Sequence, residues 1–327
     1  MPNRQTRQST AKPRRAPTDE EAGTDDRVTL RRAIEQAIPL SAGNYNLDLH
    51  DSHTAALVGS LEQLADDQAV APDRYSPNWR LQLGTLDSGN HFIEVSADED
   101  DRVWLFLHSG SRGVGNRMAQ HHIKVAQQLC AKWWIPLPDK DLAYLVEGTD
   151  EFWDYLRDLR WAQQFALLNR QEMMHRVQEA FSTWVGGTVT VSEEINCHHN
   201  YTEQERHYGK DVWLTRKGAI DASVGQPGLI PGSVGTRSYV VEGRGNRLAF
   251  DSAPHGAGRA LSRSAARKAF THQELRKAMV GIEFRDTAAF LDEIPQAYKD
   301  IDVVMADAEE LVSVRHEPHQ LVNVKGD

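Results

Sequence analysis

Two short apolar runs, each joined to a loop rich in glycine and histidine, place the tightest constraint on how this chain folds. HFIEV (91–95) and VWLFL (103–107) have the length and the β-branched and aromatic content of buried strands. Glycine in the adjoining loops permits positive φ and close approach of backbone to a ligand. The sequence therefore predicts a buried sheet whose strand ends carry a site.

Helical patterns surround these strands. Leu30, Ile34 and Ile38 recur every four residues before Pro39, which predicts a short amphipathic helix, with order beginning near Thr29. The pattern predicts further helices at about 55–64, 118–133, 152–181, 262–270 and 271–279, with strands at 212–215 and 238–241. Because no repeat and no clear linker is visible, we expect one α+β domain with mixed or antiparallel sheets flanked by helices.

Composition limits the location and the partners of the chain. Residues 1–26 are polar, first basic and then acidic, so we expect a disordered tail over 1–28 and a folded catalytic domain over 29–327. The net charge of −10 argues against a protein that coats nucleic acid, but a local basic groove remains compatible with it. Two cysteines, no secretory signal and no apolar run of about 20 residues predict a cytoplasmic protein without a membrane span.

Five short segments carry the residues suited to chemistry: LGTLDSGNHFIEV (83–95), HSGSRGVGN (108–116), NCHHNY (196–201), PGSVGTRSY (231–239) and HGAGR (255–259). Four of them place histidine beside glycine, asparagine or serine at the edge of a predicted strand. A single loop histidine is usually a surface residue. Four such positions, spread over more than one hundred residues, indicate one shared site.

The residue types in these segments suggest metal-assisted phosphoryl transfer. Imidazoles of His91, His108 and His199 are candidates to hold a divalent cation. Glycine loops at 84–89, 109–115 and 232–235 are candidates to hold phosphates. The cations that would neutralise phosphate are Arg112, Arg216, Lys217, Arg237 and Arg259, whose alternative interpretation is a solvated or salt-bridged surface.

The same motifs, in this order from about residue 28 to the C-terminus, resemble the signature motifs of the RtcB-type RNA ligases. The stretches DLAYLVEGTDEFWDY (141–155), TRKGAI (215–220) and the terminal VKG (324–326) extend the likeness. The resemblance implies an RNA ligase that uses GTP and Mn²⁺. Such an enzyme joins RNA 3′-phosphate or 2′,3′-cyclic phosphate ends to 5′-hydroxyl ends through a guanylylated histidine, in tRNA splicing or RNA repair.

The resemblance also assigns roles to residues. His255 matches the histidine that attacks GTP, and His91, His108 and His199 match manganese ligands. Glu94 matches a contact to the guanine edge. The full set of implied GTP contacts is Asn90, His91, Phe92, Ile93, Glu94, His199, Asn200, Pro231, Gly232, Ser233, Val234, Ser238, His255, Gly256, Ala257, Gly258 and Lys325.

One family motif, of the form Asp-x-Gly-Cys-Gly, has no match in this sequence, although the family's metal site uses its aspartate and cysteine. Asp48, His50, Asp51 and His53 are weak substitutes. The alternative hypothesis is therefore a truncated, catalytically impaired relative with residual binding of GTP or RNA. A metal-dependent phosphatase or nuclease is a third hypothesis, which HGAGR disfavours because hydrolysis needs no guanylate carrier. The sequence leaves open the oligomeric state and the need for an accessory activator protein.

Overall fold

The computed structural model describes residues 10–12, 24–49 and 51–326. The predicted disordered tail, residues 1–28, lies largely outside the described residues and stays a prediction. The first described helix begins at Thr24, five residues before the start expected from the sequence. Among the described residues, no helix combines the length and the apolar character needed to cross a bilayer.

Helices and antiparallel strands alternate along the chain, which confirms the expected α+β class. The helices are α1 Thr24–Ala37, α2 Ser52–Asp67, α3 Pro72–Tyr75, α4 Trp79–Gln82, α5 Arg112–Lys132, α6 Asp150–Trp184, α7 Arg263–Ala269, α8 His272–Ala278 and α9 Ile301–Asp307. The strands are β1 Thr10–Lys12, β2 Phe92–Ala97, β3 Val103–His108, β4 Thr190–Glu193, β5 Asn200–His207, β6 Lys210–Lys217, β7 Ala219–Asp221, β8 Pro227–Pro231, β9 Ser238–Gly243, β10 Ser252–Pro254, β11 Val312–His316 and β12 His319–Lys325.

The described chain forms two compact units. The first comprises residues 1–44, 86–108 and 173–327, and the second comprises residues 45–85 and 109–172. The first unit contains the strands, and the second is helical. The histidines of the motifs, His91, His108, His199 and His255, belong to the first unit, whereas residues 83–85 and 109–116 of these motifs belong to the second.

A three-stranded antiparallel sheet in the order β12-β2-β3 forms one part of the first unit. The two apolar runs predicted as buried strands are confirmed as β2 and β3. Leu30, Ile34 and Ile38 of the predicted amphipathic helix are at most 1% exposed and join the same core as Ile93 and Val324. Burial of this apolar stripe holds α1 in place, since a helix of this length is marginal in isolation.

Three further β-structures of the first unit place the remaining motifs. The strands β8, β9 and β11 form a sheet in the order β11-β9-β8. The hairpin of β5 and β6 is paired from Asn200↔Lys217 to His207↔Lys210. The short pair of β7 and β10 is in register at Ala219↔Pro254. Because β6 leads directly into β7 through Gly218, the end of the hairpin lies beside the residue that follows β10.

The second unit is a helical packing around large aromatic side chains. Trp79, Trp161 and Phe165 are at most 1% exposed and lie in one core with Val114. Ala162 and Ala166 on α6 are buried, and Asn169 on the same helix accepts a hydrogen bond from the Gly84 N–H at 2.8 Å. Asn169 is therefore a structural residue of this unit.

The segment 109–115 was predicted as a glycine loop for phosphates, and this prediction is wrong from Arg112 onward, where α5 begins. Val114 N–H donates to Gln82 Oε1 at 3.0 Å, and the Arg112 Nε donates to Thr85 Oγ1 at 2.8 Å. A Cβ on Gly115 would overlap the side chain of Ser111. Gly115 and Arg112 therefore serve close packing inside the second unit.

Candidate active site

The β2–β3 pairing brings two of the predicted histidines to one end of a sheet. Phe92 at the start of β2 pairs with His108 at the end of β3, and His91 precedes Phe92 directly. The ring centroids of His91 and His108 are 5.8 Å apart. Antiparallel pairing alone therefore converts two sequence-distant motifs into neighbours.

The two remaining histidines arrive from the other β-structures of the same unit. His199 immediately precedes β5, and His255 immediately follows β10. The centroid of the His199 ring lies 4.5 Å from that of His108 and 5.0 Å from that of His255, with both pairs stacked. The four imidazoles that the sequence separates by 164 positions thus converge at one place.

One hydrogen bond fixes the tautomer of His255. Its Nδ1 lies 2.8 Å from the Gly218 carbonyl oxygen, which can only accept, so Nδ1 carries the proton and donates it. The Nε2 atom therefore holds a lone pair. Burial lowers the pKa of His255, and the nearby Lys217 acts in the same direction against the hydrogen bond to Gly218. The structure thus presents a neutral imidazole with a free nucleophilic nitrogen.

Gly218 holds its carbonyl in position because its own backbone is anchored. Its N–H donates to the His199 carbonyl at 2.7 Å and to Asn200 Oδ1 at 3.2 Å. Its φ is +71°, and a Cβ would lie 3.4 Å from two atoms of the His255 ring. Sequence analysis placed Gly218 only inside the TRKGAI stretch, so its role in orienting His255 is visible only in three dimensions.

A cavity of about 250 Å³ opens beside these imidazoles. Most of the residues that the sequence analysis assigned to the nucleotide line it: Asn90, His91, Phe92, Pro231, Gly232, Ser233, Val234, His255, Gly256, Ala257, Gly258 and Lys325, together with His108. Its volume is near the lower end of small-molecule sites. A bound nucleotide would therefore extend beyond the cavity.

Five of the assigned residues do not line this cavity. Ile93 is buried in the core of the β12-β2-β3 sheet. His199 stacks on two other imidazoles, and Asn200 contacts the Gly218 N–H. Glu94 and Ser238 are in contact, and the Ser238 hydroxyl donates to Glu94 Oε1 at 2.9 Å. Because neither residue lines the cavity, a base held there would reach Glu94 only after local movement.

Glu94 is a buried carboxyl of which only one oxygen accepts hydrogen bonds from the described residues. It is 1% exposed, its Oε1 accepts from Ser96 and Ser238, and its Oε2 has no hydrogen-bond partner among the described residues. Burial raises the pKa of Glu94 to about 7 against the lowering effect of the two serines. A buried acceptor without a donor is costly, so this oxygen is suited to receive a ligand N–H.

The raised pKa of Glu94 predicts a pH dependence of stability. The unfolded chain ionises this group near pH 4.5, whereas the folded chain keeps it protonated to about pH 7. The folded state therefore binds more protons in this window, and the free energy of unfolding falls as the pH rises through it. Urea unfolding at a series of pH values measures this. Glu94→Gln should remove this decrease in the free energy of unfolding. If the variant and the wild type show the same pH dependence, the raised pKa of Glu94 is wrong.

Three imidazoles are close enough to share a cation. His108, His199 and His255 offer ring nitrogens within 4.8 Å of one another. The Nε2 lone pair of His255 cannot hold a metal and attack phosphorus at the same time. His91, predicted as the third ligand, lies farther from His108 than His199 does. The donor set fits a divalent cation, and imidazoles alone do not select manganese over other metals.

The substitute ligands considered from the sequence have other contacts. Asp51 caps α2 by accepting from the His53 N–H at 2.9 Å. The Nδ1 of His53 lies 2.6 Å from Glu172 Oε2 within the second unit. His50 lies outside the described residues. Asp51 and His53 therefore act as a helix cap and an ion pair in this structure.

Three of the arginines considered as phosphate ligands pair with acidic residues in the structure. Arg216 is 2% exposed, forms an ion pair with Glu205 and donates to Tyr201 at 2.9 Å. Arg259 lines the cavity, but its guanidinium donates to Glu293, Tyr298 and the Asp292 carbonyl. Arg237 is exposed and pairs with Glu317 at 2.8 Å. The salt-bridged interpretation therefore describes these three.

Arg263, which the sequence analysis did not single out, lines the cavity together with Arg259 and Lys325, and its Nε lies 3.7 Å from Glu293 Oε1. It opens α7 with half of its side chain exposed, and its Nη2 donates to Asn90 Oδ1 at 3.3 Å. A Cβ on Gly89 would overlap its guanidinium, so the glycine admits the arginine. The only local signal for it is its position at a helix start shortly after HGAGR.

The environment of Arg216 predicts a large effect on stability. Arg216→Met would remove the guanidinium that pairs with the partly buried Glu205 and leave that carboxylate with His207, and we expect a loss of about 3 kcal/mol in the free energy of unfolding. Arg206→Gln is the matched control in the same hairpin, because its pair with Asp211 is exposed and should contribute below about 1 kcal/mol. Urea unfolding compares them. Equal losses would show that Arg216 is not held as described.

This arrangement has the composition of an enzyme site, because an imidazole with a fixed tautomer lies beside a cavity and belongs to a group of ring nitrogens that could share a cation. Comparison with known proteins agrees with it. The family model described as "tRNA-splicing ligase RtcB" matches residues 14–326. The chain belongs to the RtcB family of RNA-ligase enzymes, and the family membership and enzyme class predicted from the sequence are confirmed.

Individual relatives support the same assignment. The RNA-splicing ligase RtcB of Escherichia coli K12 is 44% identical over 313 residues, which cover 91% of this chain and 76% of that protein. The tRNA-splicing ligase RtcB of Pyrobaculum aerophilum is 33% identical, with 76% of this chain and 60% of the relative covered. The RNA-splicing ligase RtcB of Mycobacterium tuberculosis is 30% identical, covering 86% and 72%.

Proposed function

We propose that this chain joins RNA 3′-phosphate or 2′,3′-cyclic phosphate ends to 5′-hydroxyl ends, using GTP and Mn²⁺, through a guanylylated His255. The single observation that carries the proposal is the free lone pair on Nε2 of His255 at the edge of the cavity. The printed names of the relatives, RNA-splicing and tRNA-splicing ligases, supply the substrate class. Cleaved RNA and GTP are the proposed partners, and the cytoplasm is the proposed location.

The proposed reaction has three steps in which atoms balance. Nε2 of His255 attacks the α-phosphorus of GTP, the bond to the β-phosphate oxygen breaks, and pyrophosphate leaves. A terminal RNA 3′-phosphate, formed from a cyclic end by hydrolysis, then takes GMP from the histidine. The RNA 5′-hydroxyl finally attacks the 3′-phosphorus, loses its proton, and displaces GMP as the new phosphodiester forms.

The residues around the cavity have distinct proposed tasks. Gly218 holds the tautomer and orientation of His255. Arg263 and Lys325 bind phosphate oxygens: Lys325 is 3% exposed, and two described carbonyls take two of its three donors. Burial lowers the pKa of Lys325. His91, His108 and His199 would hold the metal, which supplies charge stabilisation to the phosphates when it is bound.

Glu94 is the proposed determinant for guanine. Its free oxygen Oε2 can accept from a guanine N–H, and adenine presents no equivalent pair of donors on the same edge. Because Glu94 does not line the cavity, this contact requires local movement of the chain. The assignment of Asn90, Phe92 and the other lining residues to the nucleotide is proposed on their position in the cavity, and that of Ser238 on its contact with Glu94.

The test is an RNA-joining assay with the purified chain. We expect a product from one RNA ending in a 3′-phosphate and another beginning with a 5′-hydroxyl, dependent on both GTP and Mn²⁺. His255→Ala should give no product, while His272→Ala, an exposed histidine on α8, should retain activity. If the wild type binds GTP but joins no ends under any of these conditions, the impaired-relative hypothesis replaces this one.

A further inference from the structure

A second surface, at the far end of the β5–β6 hairpin, has the composition of a nucleic-acid contact. A cavity of about 480 Å³ there is lined by Arg206, Tyr208 and Arg247 among others. Phe250 packs against Tyr208 edge to face, with ring centroids 5.7 Å apart. We call Arg206, Tyr208, Arg247 and Phe250 the aromatic–arginine patch. None of these four residues belongs to the active-site cavity.

The backbone holds the two aromatic rings outward at a cost. Tyr208 and Phe250 have φ values of +51° and +52°, a conformation that bulky residues rarely adopt. Their exposed fractions are 54% and 41%. The Tyr208 hydroxyl donates to the Arg247 carbonyl at 2.5 Å, which keeps the ring upright beside the cavity. Strained backbone that displays apolar rings to solvent is typical of a binding surface.

We propose that the aromatic–arginine patch binds a single-stranded segment of the RNA substrate, several nucleotides away from the end that is joined. Bases stack on the faces of Tyr208 and Phe250, and Arg206 and Arg247 contact phosphates. This inference rests on the proposed function, because it names where the substrate of the same active site continues.

The hairpin itself connects the patch to the active site. Asn200 and Lys217 form its inner end, next to His199 and Gly218, while His207 and Lys210 form its outer end. At about 3.3 Å per residue, the seven steps from Asn200 to His207 span roughly 23 Å. An RNA strand with its end near His255 would need several nucleotides to reach Tyr208.

The charges of the patch favour RNA over an apolar protein surface. Arg206 pairs with Asp211 at 2.9 Å, but both side chains are more than half exposed, and such pairs contribute little. Arg206 can therefore exchange this partner for a phosphate. The Arg247 guanidinium carbon lies 5.7 Å from the Tyr208 ring centroid. At this position Arg247 can contact the phosphate of a nucleotide whose base stacks on the ring. Asp251 also lines the cavity, so Asp211 and Asp251 match the two arginines in number, and the patch would attract phosphate through exchange of the exposed partner of Arg206 and not through a net positive charge.

The test uses Tyr208→Asn in the full-length chain. Asparagine tolerates the left-handed conformation, so this change removes the ring without adding backbone strain. Tyr144→Asn, at an exposed tyrosine of the second unit, is the control. The probes are 3′-phosphorylated oligoribonucleotides of about three and about twelve nucleotides. Their affinities are measured by fluorescence anisotropy, and covalent labelling by GTP is measured in parallel.

We expect Tyr208→Asn to weaken binding of the longer RNA by about ten-fold. Binding of the short RNA and labelling by GTP should be unchanged, as should every property of Tyr144→Asn. Arg247→Gln should also weaken the binding of the longer RNA and reduce the salt dependence of that binding. Unchanged affinity for the longer RNA, or equal losses for both lengths, would overturn the inference.

The same measurements separate this inference from the proposed function. If wild type takes no label from GTP but binds the longer RNA through Tyr208, the proposed chemistry fails and the patch stands. If wild type is labelled but Tyr208→Asn binds the longer RNA as tightly as wild type, the patch fails and the chemistry stands.

Discussion

Replacing His199 by alanine is expected to reduce GTP- and Mn²⁺-dependent activity by about a thousand-fold, which corresponds to the several kcal/mol that a bound metal contributes to charge stabilisation. The His199 ring centroid lies 4.5 Å from that of His108, and its loss removes one of the few imidazoles available to the cation. Isothermal titration with Mn²⁺, followed by the rate of RNA joining, measures both consequences.

The adjacent residue supplies the matched control for His199. His198 stacks near Tyr201, with ring centroids 5.6 Å apart, and does not belong to the imidazole group. His198→Ala should keep manganese affinity and activity within a few-fold of wild type. If His199→Ala binds manganese as tightly as wild type, His199 is not a ligand, and the metal assignment is wrong.

Gly218→Ala is expected to slow labelling by GTP about a hundred-fold while GTP affinity stays close to that of wild type. Alanine disfavours the φ of +71° that aims the Gly218 carbonyl, and the new Cβ would contact the His255 ring at 3.4 Å, so any relaxation of the backbone displaces the ring. A displacement of about 1 Å in a reacting group lowers the reaction rate by about a hundred-fold. Single-turnover labelling gives the rate, and equilibrium binding of GTP gives the affinity.

Gly225→Ala separates backbone strain from the orientation of His255. Gly225 has a comparable φ of +75°, but nothing lies within 4 Å of its added Cβ. Both variants should show a similar decrease in the free energy of unfolding. Only Gly218→Ala should be labelled more slowly by GTP. Equal labelling rates in the two variants would mean that the carbonyl of Gly218 does not orient the nucleophile.

Sequence reasoning succeeded where the signal is local or periodic. The stripe of Leu30, Ile34 and Ile38 and the apolar runs of β2 and β3 specify elements whose burial the structure confirms. The histidine motifs were correctly expected to converge. Each lies at the end of a strand. Antiparallel pairing of β2 with β3 places His91 beside His108, and the β5–β6 and β7–β10 pairs, joined through Gly218, place His199 beside His255.

Sequence reasoning failed where the environment of a charge decides its role. Arg216 and Arg259 were predicted to contact phosphate, but acidic residues distant along the chain hold them. In the sequence, Arg263 is an ordinary arginine at the start of a helix. Its position in the site depends on Gly89, whose missing side chain leaves room for the guanidinium. The segment after His108 contains glycines that permit tight packing at the start of α5. Such partners belong to tertiary structure and leave no periodic pattern in the sequence.

The central claim is that one imidazole nitrogen, freed by a hydrogen bond on the opposite side of the ring, takes up a nucleotide. Mass spectrometry of the intact chain after incubation with GTP and Mn²⁺, followed by peptide fragmentation, tests it most directly. We predict an added mass of one GMP on the peptide containing His255, with release of pyrophosphate. No adduct, or an adduct on a different residue that persists in His255→Ala, would contradict it.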